Sequence, residues 1–546
     1  MHDHQDLLLR SFLLLLSPAL LFLIGSFSSR LLNRKPTLAA SWAVWLSMAA
    51  LGAVLISIAL LIVRGPFVST LISSGPAAFT LYFDNLSAIL LGLISFLAPI
   101  IIRYSKTYLD RDPNQGHFTK WLCLTIGSVM LLMISGNLLL LAIAWCSTSL
   151  CLHQLLIFYR DRPGSLLAAR KKFIFSRLGD LCLMGVLILS YLQFHTWDFQ
   201  ELLEAARALH HHGTSALNDT TSWICFLLVG AALLKSAQFP FHSWLPDTME
   251  TPTPVSALMH AGLINAGGFL IVRFSPLISL DPGALMLLAV LGGFTALFAS
   301  LTMLTHASIK RSLAFSTVAQ MGFMMLECGL GAFSLAILHL VAHSLYKAHA
   351  FLSSGDLKAI SRSKWIPTGR SKVHPWILTL TLIISSCLSF GVAWFLGISP
   401  LNDPRDFILI TILTISLSYL LWSYWNHGLN TMLLLGGVGL GVALTALYLG
   451  LHHLFEFLLS SASPDTFSTW SSHEVVLALV ILLLFIGTLI LQVQLPQWEK
   501  TPLCSAIYVH ARNGFYFTTL ANRLVHELWP LQVTKQPTAD PQSISS

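Results

Sequence analysis

The chain carries about fifteen separate runs of mostly apolar residues, centred near 17, 52, 93, 128, 147, 184, 229, 263, 294, 320, 344, 386, 415, 441 and 483. Each run is roughly 20 residues long, the length a helix needs to cross the hydrocarbon core of a bilayer. Inside that core every backbone donor and acceptor must be satisfied within the segment, so repeated runs of this kind leave only a bundle of membrane helices. Composition agrees: of 546 residues 55% are hydrophobic and 10% charged, with a mean hydropathy of +0.73, whereas soluble chains carry about 25% charged residues. A water-soluble enzyme, a nucleic-acid binder and a disordered regulator are excluded. The expected fold is all-α, a polytopic membrane bundle of about 14–15 transmembrane helices.

The eight cysteines lack paired spacing, and all but Cys504 fall inside apolar runs, so neither a disulfide framework nor a metal site is indicated, and no cofactor is expected. The N-terminal MHDHQDLLLR lacks the basic region and cleavage site of a signal peptide and reads as the lead into the first span.

The net charge of +7 has to be located before it is interpreted. Loops following odd-numbered spans hold twenty Lys and Arg, including Arg30, Arg34, Lys35, Arg103, Arg160, Lys171, Lys172, Lys310, Arg311 and Lys358. Even loops hold four, Arg64, Arg207, Arg273 and Arg405. By the positive-inside rule the odd loops and the C-terminal tail face the cytoplasm and the N-terminus faces the other side. The charge thus records orientation rather than a basic binding surface. The chain divides into N-terminal spans at 1–110, a core at 111–425, further spans at 426–497 and a tail at 498–546. Within the tail, 501–530 reads as an amphipathic segment lying on the membrane interface or against a partner. The closing PTADPQSISS is expected to be disordered.

Two lysines stand inside apolar spans, where a cation is costly unless paired or hydrated. Lys235 is followed by Pro240, Pro246, Pro252 and Pro254. Proline removes a backbone donor and breaks a helix, and irregular backbone at membrane depth is tolerated only against protein or a water-filled cavity. A buried lysine beside a broken helix is the construction expected of an ion pathway; a lysine snorkelling to the interface is the alternative. His339, His343 and Lys347 are spaced by four and share one helix face, about 6 Å apart. Histidine both donates and accepts near neutral pH, so the row suits proton transfer. Metal binding, with no third ligand evident, and structural hydrogen bonding are its alternatives. His260 extends the chain of candidates. Arg177 and Asp180 can pair on one face, as a structural bridge or to tune Lys235. Glu327 is a weaker candidate, and His210 to His212 read as a solvated run.

These residues lie in a pattern that resembles the proton-translocating antiporter-like family, which includes complex I and Mrp antiporter membrane subunits. The blocks that carry the likeness are SRLGD at 176–180, LLKSAQFPFHSWLPDTMETPTPVSALMH around Lys235, IKRSLAFSTVAQMGFM at 309–324 and HLVAHSLYKAHAFLSSG at 339–355. The resemblance implies two inverted five-helix repeats, each with a broken helix, and a midplane proton pathway through Lys235, His260, His339, His343 and Lys347.

Two departures qualify it. Where the family places a glutamate after the tryptophan of the fifth span, Trp145 is followed by Cys146, so Asp180 or a shift in Lys235 itself must compensate, with His153 restoring some polarity. Where the second broken helix carries an ionisable residue, 377–397 offers only Ser385, Ser386, Cys387 and Ser389. With its shorter length and NGFY-containing tail, the chain resembles the DabB-type membrane subunits of bacterial inorganic-carbon accumulation complexes. That resemblance implies a cation-conducting subunit of the inner membrane, H+ or Na+ being the ion. The implied partner is a DabA-like zinc-binding subunit related to β-carbonic anhydrases that hydrates CO2 to bicarbonate. A complex I-like pump subunit, a Na+/H+ antiporter subunit and a non-conducting scaffold remain alternatives.

Overall fold

A computed structural model describes residues 2–72, 75, 78–211, 218–354, 375–398, 404–425, 431–460, 472–498 and 501–530. Each apolar run becomes one helix. These are α1 (His2–Ser26), α2 (Pro36–Arg64), α3 (Asn85–Tyr108), α4 (Gln115–Met133), α5 (Leu138–Leu156), α6 (Pro163–Phe194) and α7 (Asp219–Lys235). They are followed by α8 (Thr253–Arg273) and then α9 (Pro282–Leu304), α10 (Ile309–Gly329) and α11 (Phe333–Ser353). The last four are α12 (Pro375–Phe395), α13 (Pro404–Trp425), α14 (Thr431–Leu459) and α15 (Ser472–Trp498). Twelve helices among the described residues are long and apolar enough to cross a membrane.

Starts are set by side chains that take up orphan amides. Asp84 accepts from Ser87 N, Asn137 from Leu139 N, Asn218 from Thr221 N, and Asp281 from Gly283 N and Ala284 N. Proline stands in the first turn of α2, α6 and α9, where its missing donor costs nothing. Between α2 and α3 an antiparallel hairpin, β1 (Phe67–Ile72) and β2 (Phe79–Phe83), covers one end of the bundle.

The helices α9 and α10 pack at backbone distance. A Cβ on Gly322 would lie 2.6 Å from Ala296 N, and one on Gly292 2.5 Å from Leu326 N. Small residues let membrane helices approach this closely. At the centre lies α8, wholly buried, so its polar groups face protein rather than lipid. Outer helices show the reverse, with Trp42, Trp45 and Leu55 of α2 exposed to the surroundings.

Four sequence expectations are corrected. Lys171 and Lys172 are not loop cations but lie buried on α6, because that helix runs for 32 residues and begins well before its apolar stretch. Arg273, assigned to an even loop, is likewise buried: it forms a bidentate pair with Asp84 at 2.6 and 2.9 Å. The second helix break implied by the resemblance is not made, and α12 runs uninterrupted from Pro375 to Phe395. No proline follows Pro375 in it, and Thr381 and Ser386 donate to carbonyls of the preceding turn, which leaves the helix ladder intact. The solvated-run reading of His210 to His212 is also revised, since His210 belongs to a helix, Phe199–His211, and its ring contacts the Pro276 carbonyl at 3.1 Å. His212, the basic loop 355–374 and PTADPQSISS lie outside the described residues.

The tail forms α16 (Pro502–Arg512) and α17 (Phe517–Leu528). It rests on the bundle: the Phe517 ring lies 4.6 Å from Phe239, and Arg170 donates to the Trp529 carbonyl at 2.7 Å. Its other face leaves Leu520, Leu524 and Leu528 exposed.

Candidate ion pathway

The prolines after Lys235 act as their chemistry dictates. α7 stops at Lys235, and the chain continues through short turns at 241–243, 244–247 and 248–250 before α8 begins. The freed backbone groups find partners: Gln238 N donates to Leu233 O at 3.1 Å, Gln238 Nε2 to Ser236 O at 2.9 Å and Phe239 N to Thr295 Oγ1 at 3.1 Å. The neighbouring helix is irregular too. α8 contains a π-helical turn over Met259–Leu263, a feature that recurs at functional sites. Ser236 Oγ donates to Ile264 O at 2.8 Å, so the break in one helix caps the irregularity in the other. Gly267 allows the approach, since a Cβ there would lie 2.2 Å from Ser236 Oγ.

The Lys235 ammonium lies 4.2 Å from the centroid of the Trp145 ring and donates to the Trp145 carbonyl at 3.3 Å. Among the described residues it joins no ion pair. Asp180 is the carboxylate whose charge acts on it most, yet Asp180 lies 2.7 Å from Arg177. Cys146 sits within the field of both Asp180 and Lys235. The position of the family's glutamate therefore lies beside both groups, occupied by a neutral thiol. The His153 ring lies 5.2 Å from that of Phe173 on α6, tilted by 57°.

Sequence reasoning missed Lys172. Its ammonium is buried and donates to Ser149 O at 2.7 Å and Ser149 Oγ at 2.8 Å. Lys172 and Lys235 line one cavity of about 20 Å³ together with Ser149, Ser176, Trp244 and Ile264, room for about one water. The spacing Lys172, Ser176, Asp180 was the available signal, one helix face carrying three polar residues into an apolar span. Lys171 was missed as well; it pairs with Asp247 in the segment after the break and so anchors that segment to α6.

A second group forms around α11. Lys347 is buried and donates to Leu313 O at 3.0 Å and to Ser316 Oγ. Its charge acts on both His260 and His343. The His260 ring stacks on Phe351 at 4.3 Å, and among the described residues neither His260 nor His343 has a protein partner for its ring nitrogens. Asn265 bridges the two helices by donating to Ala261 O at 3.0 Å and Ser344 Oγ at 2.7 Å. The His343 ring is 6.4 Å from that of His339. His339 contacts Glu327 Oε2 at 3.0 Å through Nδ1 and Gln320 Oε1 at 2.6 Å through Nε2. The five sequence-derived residues thus fall into two groups: Lys235 with Trp145 and Lys172, and His260, His343, Lys347 and His339 gathered where α8 meets α11. Among the described residues no group of three or more His, Cys, Asp or Glu is arranged to hold a metal ion.

The family model for the NADH:quinone oxidoreductase/Mrp antiporter transmembrane region matches residues 135–397, and that for the N-terminus of complex I chain 5 matches 70–119. A protein of Halothiobacillus neapolitanus named as a probable inorganic carbon transporter subunit, DabB2, is 38% identical over 504 residues, covering 90% of this chain and 89% of that one. A DabB subunit so named in Hydrogenovibrio crunogenus is 34% identical, covering 82% and 83%. NADH-quinone oxidoreductase subunit L of Escherichia coli is 37% identical over 280 residues, 51% of this chain and 45% of that one. Among solved structures, the Mrp complex from Dietzia sp. shares the fold, with a TM-score of 0.59 at 20% identity; the match spans 95% of this chain and 60% of that one. The chain therefore belongs to the antiporter-like family of multi-pass membrane subunits. Within it, two proteins named as DabB subunits of inorganic carbon transporters match 90% and 82% of its length.

Proposed function

We propose that the chain is the cation-conducting membrane subunit of an inorganic-carbon accumulation complex, with the proton as its ion. The reading is supported most by the gathering of His260, His343, Lys347 and His339 inside the bundle of a chain whose near-full-length relatives are named DabB. Such a cluster moves a proton by passing it between neighbouring groups, each of which both takes and gives one. Lys235 and Lys172 stand at the inner end beside the broken helix, and Asp180, Arg177 and His153 tune their field. The subunit lies in a bacterial inner membrane with the basic loops and the tail in the cytoplasm, so that protons run inward down the potential.

That potential supplies about 2.3 kcal/mol per charge per 100 mV. In this reading the chain itself performs no covalent chemistry. The free energy is spent by a soluble DabA-like zinc partner related to β-carbonic anhydrases, which makes CO2 hydration to bicarbonate effectively one-way. Co-expression of the chain with that partner in a cell lacking carbonic anhydrase tests the reading. Growth in air is expected, abolished by an uncoupler and by Lys347→Ala. Failure of a verified, assembled pair to restore growth would remove the carbon-transport reading. Growth that survives both Lys235→Ala and Lys347→Ala would favour a non-conducting scaffold.

A further inference from the structure

In a proton path the ion must reach both membrane faces, and α12 offers it no carboxylate, lysine, arginine or histidine between Pro375 and Phe395. The row on α11 nevertheless does not end at His339. Its Nδ1 meets Glu327, a carboxylate with 2% side-chain exposure near the end of α10. The charge of Glu327 acts on the Tyr448 hydroxyl of α14, as does that of Asp406 at the start of α13. Asp406 in turn faces His452, one turn beyond Tyr448, with Oδ1 3.9 Å from Nε2. Asp406 is 30% exposed, so the series passes from a buried carboxylate to one that meets the surface.

The outer members of the series, Asp406, Tyr448 and His452, share one small cavity. A cavity of about 10 Å³ is lined by Leu335, Ile398, Asp406, Tyr448 and His452. Among the described residues, Thr445 Oγ1 and His452 Nδ1 are buried without a protein hydrogen-bond partner on the same α14 face; the spacing Thr445, Tyr448, His452 keeps all three on one stripe. The termini agree. α10 ends at Gly329, α12 at Phe395 and α14 at Leu459, while α13 begins at Pro404, and Ala393, Ile398, Ile410 and Leu449 pack together. This end of the bundle is opposite the basic loop that carries Lys310 and Arg311.

We infer that the outer half of the ion path leaves His339 through Glu327, Tyr448 and the Asp406–His452 pair, between α10, α11, α13 and α14, and so bypasses α12. The inference rests on the conduction reading given above. Each transfer is a proton exchange along the series: a group gives its proton to the next and takes one from behind, and no bond other than O–H or N–H is made or broken.

The experiment is potential-driven proton flux into liposomes holding the assembled complex, read with an internal pH dye. Asp406→Asn and Glu327→Gln are each expected to cut flux about tenfold or more, as removal of a positioned proton carrier does. Asp406→Glu, which keeps the carboxylate, should restore most of it, an outcome that misfolding of the Asn variant would not give. The double variant Ser385→Ala/Ser389→Ala should conduct as the unmodified complex does. Flux abolished by Lys347→Ala but unchanged in Asp406→Asn, Glu327→Gln and Tyr448→Phe would overturn the inference while leaving the conduction reading intact. Loss in the Ser385/Ser389 variant alone would return the path to α12. No flux from the unmodified complex would instead defeat the conduction reading.

Discussion

The pair between Arg273 and Asp84 joins the end of α8 to the start of α3 across 189 residues of sequence, and its removal has a calculable cost. Both side chains are buried, at 2% and 8% exposure. Arg273 makes two bonds to the carboxylate, donates to Ser87 Oγ at 2.6 Å and lies 4.9 Å from the Tyr82 ring. Replacing it with methionine fills the volume but leaves a buried carboxylate held only by Ser87, a loss of about 3–5 kcal/mol. Asp84→Asn retains the cap on Ser87 N, because asparagine also caps. The double variant should therefore recover at least about 1 kcal/mol relative to Arg273→Met alone.

The pH dependence has a definite sign. Burial raises the Asp84 carboxyl, but the Arg273 charge, its hydrogen bonds and those of Ser87 outweigh burial and hold it below the ordinary range. A depressed carboxylate contributes stability above its unfolded value of about 3.9 and loses it as pH falls through the folded value. Without Arg273 burial is opposed only by the Ser87 bonds, so the variant gains by taking up a proton on mild acidification and the gap to the parent narrows below neutral pH. Thermal unfolding in detergent, followed from pH 8 to pH 4, measures it. A pH-independent gap, or a double variant as weak as Arg273→Met, would refute the argument.

Other outcomes follow from single contacts. Cys146→Ala should leave proton flux within about twofold, since a neutral thiol contributes only a weak hydrogen bond; a larger loss would place Cys146 on the path itself. Gly267→Val, whose Cβ would lie 2.6 Å from Ala232 O, should cost about 1–3 kcal/mol or more by overpacking α8 against the break, whereas Gly52→Ala, with nothing within 4 Å, should be neutral in the same unfolding assay. Phe517→Ala should release the tail from Phe239 and speed tryptic cleavage at Arg512 and Arg523; unchanged cleavage would mean that the ring contact does not hold it.

The spans were legible because apolar length is a one-dimensional property, and the short links at 134–137 and 330–332 fall between separate helices. The break after Lys235 was legible because proline acts on its own backbone. Long-range partners were not: nothing local ties Arg273 to Asp84. Lys172 was hidden by the charge count itself, which treats every cation near a span end as a loop cation and cannot tell which ones a long helix carries inward. The likeness to the family also predicted a break in α12 that its own residues do not make. Family position transmits expectation, but the ladder is broken where a donor is missing, as at the prolines after Lys235. Glu327 was undervalued because its partner His339 lies across the tight turn joining α10 and α11, where two residues twelve apart face each other.

The central claim is that His260, His343, Lys347 and His339 carry protons. Its most direct test is flux into liposomes under an imposed potassium diffusion potential, comparing the intact complex with Lys347→Ala at equal incorporation. Acidification by the intact complex and its loss in the variant are predicted; equal acidification by both would contradict the account.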